Sequence, residues 1–227
     1  MNEVFRYQEE IRERFPALVG GVISATDLTC TVIPPELAEL YLIEQIAALD
    51  RYGDKPLSDI ASLTAWRRTF RAFGVNPTKY RSASEALLRR LTKKGDIPSI
   101  NLLVDIANLV SIRYALPVAM FDTRQLKMPV TVGFAEGSEQ FIALGQKESE
   151  QPVAGEVIFT DESSSVVARR WCWRQSSGSA ATSKTVSAVI TVEAQHTGGR
   201  SEVEKALNDL LNYLSEYAGG VFKSAIL

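Results

Sequence analysis

Glu193 closes the run Val186-Ser187-Ala188-Val189-Ile190-Thr191-Val192, on the face opposite Val186, Ala188, Ile190 and Val192 if the run is a strand. A carboxylate half-buried by a sheet can act as a general base or hold a substrate ammonium group. The same position also suits an edge-strand glutamate paired with a surface arginine. Upstream lies ARRWCWRQSSGSA. Extended, it puts Trp171 and Trp173 on one face and Arg170, Cys172 and Arg174 on the other. Tryptophan with arginine suits stacking on a base or ring and pairing with phosphate, although tryptophans more commonly fill a core. Cys172 as a nucleophile would need a base, and the one histidine, His196, is thin support. His196 follows Glu193 by three residues and either approaches the same pocket or sits in an exposed loop. Asn101, Asp105 and Asn108 recur at i, i+4 and i+7 and share one helical face. They form an array of donors and acceptors that either shapes a pocket or caps neighbouring loops.

Several chemistries are set aside. Glycine-rich phosphate loops, paired-cysteine metal sites and hydrolase serine elbows are absent, so no metal or cofactor is expected. Cys30 and Cys172 lie far apart and give no disulfide framework, which favours a reducing cytoplasm. The first residues, MNEVFRYQEEIRERF, are charged and amphipathic and are no secretory signal. No apolar run is long enough to suggest a spanning helix, so no membrane partner is expected.

A net charge of -2 argues against indiscriminate binding to DNA or RNA. The distribution is more informative. From Ala65 to Lys94 nine basic residues, including Arg89, Arg90, Lys93 and Lys94, face Glu85 alone, whereas Glu136 to Glu162 is mostly acidic. Such asymmetry predicts one basic face for an anionic partner, or a solvated helix surface.

The elements that must position these groups read as helices, then strands, then a closing helix. A helix over Glu3–Arg14 ends at Pro16, a strand falls within Leu18–Leu28, and Pro34-Pro35 opens a helix to Arg51 with Leu37, Leu40, Ile43 and Ala47 inward. TAWRRTFRAFG looks helical up to Gly74. Ser82 and Glu85 form a capping box for a helix that Gly95 ends, with Leu87, Leu88 and Leu91 facing inward. The helix Ser99–Tyr114, with Ile100, Leu103, Ala107, Val110 and Tyr114 as its apolar stripe, leads into a short strand. Strands follow at Val130–Phe134, Glu156–Thr160, Val166–Ala168 and Val186–Glu193, and a second capping box at Ser201 and Glu204 opens a last helix that Gly219-Gly220 stops. The order predicts an α+β domain around a mixed or mostly antiparallel sheet packed with helices. It is read as one domain over residues 1–227, with a mostly helical part at 1–75 and the core at 76–227.

The stretch NLLVDIANLVSIRYALPVAMFD resembles the segment that opens the tRNA-editing (B-three/B-four) domain of the bacterial phenylalanyl-tRNA synthetase β subunit. Asn101, the Val104-Asp105 pair, Asn108, Pro117 and the Phe121-Asp122 pair carry the resemblance, which extends more weakly over Ser82–Gln195. It implies the same α+β class and a free-standing relative that binds aminoacyl-tRNA and hydrolyses mischarged aminoacyl ester. In this comparison Glu193 matches the glutamate that helps bind the amino acid and the reacting water. Asn101, Asp105, Asn108, Ala119, Trp171, Cys172 and Trp173 would shape the pocket, and Arg89, Arg90, Lys93, Lys94, Arg170 and Arg174 would meet RNA. Two departures stand out. The family's histidine is replaced by Ala119, and bulky residues replace its glycine-rich loop, implying a different or smaller amino acid. A non-catalytic binder of tRNA or of a free amino acid is the alternative.

Overall fold

The computed structural model describes residues 1–29 and 32–227, so Cys30 lies outside the described residues. Its organising element is β8 (Ala188–Ala194) in a four-stranded sheet of order β3-β8-β2-β9. There β8 runs antiparallel both to β3 (Val118–Asp122) and to β2 (Val19–Thr26), and β2 runs antiparallel to β9 (Val221–Ile226). A five-stranded sheet of order β1-β4-β5-β6-β7 lies over one face. It consists of β1 (Phe5–Tyr7), β4 (Val130–Phe134), β5 (Val157–Thr160), β6 (Val166–Arg169) and β7 (Arg174–Gln175). Only β1 with β4 pairs parallel; the other neighbours in this sheet are antiparallel. The class is α+β with mostly antiparallel sheets.

Side-chain alternation along β8 explains the layers. Ala188, Ile190, Val192 and Ala194 pack into a core with Leu103, Ile106 and Val110 of α5 (Leu102–Tyr114) and Val203, Leu207 and Leu210 of α6 (Gly199–Tyr217). Val189 points the other way, into an aromatic core between the sheets with Phe5, Phe121, Phe159 and Trp171. Every residue of β8 is therefore buried. The expectation of a half-buried strand is corrected, because the second sheet covers the face that would otherwise meet water.

Helix boundaries follow their caps. In α4 (Ala83–Lys94) the Ser82 hydroxyl accepts from the Glu85 amide at 3.3 Å, and Gly95 closes the helix in the left-handed region at φ 83°. Leu88 and Leu91 are buried as expected, with Leu87 partly so. α3 (Ala61–Ala72) ends just before Gly74, as read.

Three other readings shift. Glu3–Tyr7 is not the start of a helix: Phe5 and Tyr7 are buried and Arg6 is exposed, the alternation of β1, and only Glu9–Arg14 is helical, as α1. In α2 (Pro35–Tyr52) Ile43 is 53% exposed, while Glu44 and Gln45 turn inward. These two polar groups have fixed partners, Glu44 an ion pair with Arg113 at 2.7 Å and Gln45 both backbone groups of Ile97, so their burial is compensated. Finally, α6 begins at Gly199, so Ser201 already lies inside its first turn and caps nothing. Gly219-Gly220 follow the end of α6, and beyond them the chain forms β9, an edge strand for which the sequence reading had no element. Among the described residues no helix is long and apolar enough to cross a membrane.

Candidate functional site

Glu193 projects from β8 into the layer between the two sheets, where it is 2% exposed. Its neighbour in register on β2 is Gly20, and its amide donates to the Pro117 carbonyl at 3.3 Å. Two neutral donors hold the carboxylate. The Tyr7 phenol reaches Oε1 at 2.7 Å, and the Trp171 indole N–H reaches the same oxygen at 2.9 Å. A Cβ on Gly20 would overlap the Tyr7 hydroxyl, so glycine at this point of β2 is what lets the phenol approach. Burial pushes the Glu193 carboxyl up to about 7, against the opposing pull of the hydrogen bonds from Trp171 and Tyr7. The group is thus divided between its acid and base forms near neutral pH, the condition in which a carboxylate is most useful for proton transfer.

The cleft that Glu193 lines is small, about 80 Å³. Pro117, Ala119 and Phe121 of β3 and its approach form one wall, with Thr191 beside Ala119 across the β3–β8 ladder. Phe159 and the turn carrying Trp171, Cys172 and Trp173 form the other, and Ala83 at the start of α4 completes it. A water takes roughly 30 Å³ in the liquid, so this volume suits a few waters or a small side chain.

The turn between β6 and β7 is strained in a specific way. Arg170 and Trp171 both have positive φ, 46° and 59°, where side chains other than glycine are disfavoured. The Arg170 amide donates to Glu156 Oε1 at 3.1 Å and the Trp171 amide to the Val157 carbonyl at 2.7 Å, which hold the turn. Glu156 is itself fixed by a buried ion pair with Arg169 at 2.7 Å. The segment is therefore not the continuous strand expected from its sequence, and Trp171 and Trp173 do not share a face. Trp171 packs against Trp66 and Phe15 at centroid distances of 5.3 and 5.1 Å, whereas Trp173 is only partly buried at the rim. Arg170 stacks between Tyr80 at 3.8 Å and Trp173 at 4.4 Å, and Arg174 lies on Trp173 at 4.8 Å. Of these, only Trp173 and Arg174 line the Glu193 cleft; Arg170 is buried and, with Tyr80, lines a separate pocket behind Trp173.

Cys172 lines the cleft with a thiol that burial, and next the Glu193 charge, raise well above the ordinary range. A protonated thiol with no imidazole beside it is no nucleophile. His196 does not line this cleft; its Nε2 lies 3.0 Å from Glu202 on α6.

The amide-and-carboxylate row of α5 is not among the cleft-lining residues. Asn101 is the N-cap, accepting from the Val104 amide at 3.1 Å and donating to the Ala181 carbonyl at 3.0 Å. Asp105 is 1% exposed yet satisfied, accepting from Ser99 and from the Ile100 amide at 2.8 Å. Burial raises its pKa while those hydrogen bonds draw it down. Asn108 is half-buried beside Tyr41. Asn101 and Asp105 fix the start of α5, and Ile100, which precedes it, is 65% exposed rather than part of the stripe.

Ala83 lines the cleft, and Arg89, Arg90, Lys93 and Lys94 follow on the same helix. At about 1.5 Å per residue, Lys93 lies roughly 15 Å along α4 from the cleft. Arg67 and Arg81, counted in the basic run, are instead engaged by buried Glu85 at 2.6 and 3.7 Å. The residues of the candidate site that sequence reasoning missed are Tyr7, Gly20 and Thr191. Only Thr191, alternating with Glu193 on β8, had a local signal.

Among the described residues no group of three His, Cys, Asp or Glu side chains could hold a metal ion. A solved structure similar to this chain is the N-terminal fragment of the phenylalanyl-tRNA synthetase beta-subunit from Pyrococcus horikoshii, with a TM-score of 0.51 at 15% identity. The match covers 98% of this chain and 50% of that one, so the chain spans half the length of its structural neighbour. No curated protein matches the chain. A model of the B3/4 domain matches residues 65–219, the segment that supplies α4, α5, β3, the β6–β7 turn and Glu193. The chain belongs to the B3/4 domain family.

Proposed function

We propose that the chain binds the aminoacylated end of tRNA and hydrolyses the ester of a wrongly attached, small amino acid. The observation that carries this reading is the Glu193 carboxylate, held in a small cleft by two neutral donors with its pKa near 7. In the hydrolysis, Glu193 takes a proton from a bound water as that water attacks the ester carbonyl. The tetrahedral intermediate then collapses, and the ribose oxygen leaves with a proton as the free hydroxyl. Trp173 and Arg174, which line the cleft, suit the terminal nucleotide by stacking and by charge. Arg89, Arg90, Lys93 and Lys94 would extend that contact along the RNA backbone. Its setting in this reading is the cytoplasm, where charged tRNA is present.

A panel of mischarged tRNAs tests the reading by single-turnover deacylation with wild type and Glu193→Gln. Glutamine keeps the shape and an acceptor oxygen, so tRNA binding should persist while hydrolysis falls about 10²-fold or more. Equal rates in the two proteins would remove Glu193 from the chemistry.

One observation favours a second reading. Ala119 presents a methyl group to the cleft, with no imidazole in its lining. A binder of tRNA or of a free amino acid needs no such group. Tight binding to aminoacyl-tRNA without hydrolysis on any member of the panel would select it.

A further inference from the structure

A second cavity lies beyond the far end of β8 and is distinct from the Glu193 cleft. It has two lobes, of about 500 and 200 Å³, that share Ala17, Ala65, Arg68 and Gln195. Gln195 is 8% exposed, and its Nε2 has no hydrogen-bond partner among the described residues. The next residue, His196, also lines the larger lobe, with its side chain 8% exposed and its Nδ1 equally unpartnered. An unpaired buried polar group costs free energy, and two on consecutive residues at one cavity point to a missing ligand.

Two arginines line the cavity. Arg68 is exposed and contributes to both lobes, and Arg14 lines the smaller one. α6 begins at Gly199, two residues past cavity-lining Thr197, and no side chain caps its first turn. The positive pole of a 19-residue helix therefore lies beside His196. The Nε2 of His196 lies 3.0 Å from the Glu202 carboxylate, which fixes the ring and leaves Nδ1 without a partner among the described residues. The wall also holds one carboxylate, Asp59, with Ser58 beside it, which fit a hydroxyl on the rest of the ligand.

We infer that this cavity binds a phosphate group of a hydroxyl-bearing ligand, through Arg68 and Gln195, with the His196 ring beside it. A tetrahedral anion uses more of these donors than a carboxylate can, and the volume accommodates a sugar phosphate beside it. The ligand is either a free nucleotide or a phosphodiester of RNA. The inference does not depend on ester hydrolysis at Glu193.

His196 is the sole histidine of the chain, so its ring nitrogens give a single assignable NMR signature. Inorganic phosphate, a nucleoside monophosphate and an RNA hairpin are titrated separately, with chloride at matched ionic strength as control. A saturable shift of Nδ1 with either phosphate compound identifies a small-ligand site, and a shift with the hairpin alone identifies an RNA contact. In both cases Arg68→Ala should weaken the response about tenfold or more. Gln195→Met should weaken it similarly while melting at the same or a higher temperature, because it removes an unpaired amide. The inference is overturned if no phosphate compound moves the resonance beyond the chloride control. It is overturned equally if Arg68→Ala responds like wild type, or if Gln195→Met lowers the melting temperature, which would make the amide a structural group.

Discussion

Tyr7 and Glu193 are 186 residues apart in sequence, and the phenol of one donates to the carboxylate of the other at 2.7 Å. This bond joins the two sheets at the candidate site, since Tyr7 belongs to β1 and Glu193 to β8. The phenol in turn has its pKa pushed well up, first by burial and then by the Glu193 charge, so it stays a donor at neutral pH. Tyr7→Phe should therefore act on Glu193 rather than on substrate binding. With one donor to the ionised form lost, the Glu193 pKa should rise further, and the pH at which deacylation becomes half-maximal should move upward. A pH–rate profile with an unchanged midpoint would show that Tyr7 does not tune the carboxylate.

The raised Glu193 pKa has a consequence for stability. An unfolded chain titrates this group near 4.5, the folded protein near 7, so between those values the folded state binds more protons. Stability must then fall as pH rises through that window, and below it the group makes no difference. Above pH 7 the cost of the buried charge is about 3 kcal/mol. Glu193→Gln should match wild type near pH 4 and be the more stable protein at pH 8. Chemical denaturation at the two pH values measures this, and parallel pH curves for the two proteins would disprove it.

Gly20 contributes by lacking a side chain. In Gly20→Ala the new methyl overlaps the Tyr7 hydroxyl, so Tyr7 must leave Glu193 or the strand must shift. The expected cost is about 2 kcal/mol, the range for overpacking together with a lost buried hydrogen bond. Combining it with Tyr7→Phe removes the colliding oxygen. The double mutant should be less destabilised than the sum of the single ones, by about 1 kcal/mol. Strict additivity in a double-mutant cycle would place the effect of Gly20 elsewhere.

The basic end of α4 can be separated from the cleft. Replacing Arg89, Arg90, Lys93 and Lys94 with alanine should weaken tRNA binding and lower its salt dependence, by about one unit of slope per lost phosphate contact. Their distance along α4 from Ala83 means that the single-turnover rate at saturating tRNA should hardly change. Filter binding at several salt concentrations decides it, and identical slopes would mark these residues as a solvated helix face.

Much of this arrangement was legible in short stretches of sequence, because the forces that set it are local. Ser82 and Gly95 bound α4 through hydrogen bonds and a backbone conformation that involve only their neighbours. The apolar alternation before Glu193 marks β8 and the face on which the acid lies, and the segment Asn101–Asp122 carries the family pattern that the match over residues 65–219 shows. What sequence could not decide is which long-range partner completes each local motif. Asn101 and Asp105 have the chemistry of pocket residues, but they sit where a helix begins, so its unpaired amides take them. Arg170 and Trp171 read as strand until Glu156 and Val157 hold them in a turn that sends one side chain between Tyr80 and Trp173 and the other to Glu193. Tyr7 lies in a charged stretch that reads as helix. It becomes a strand only by pairing with Val130–Val132, because a strand's backbone hydrogen bonds are made to another part of the chain while a helix makes its own.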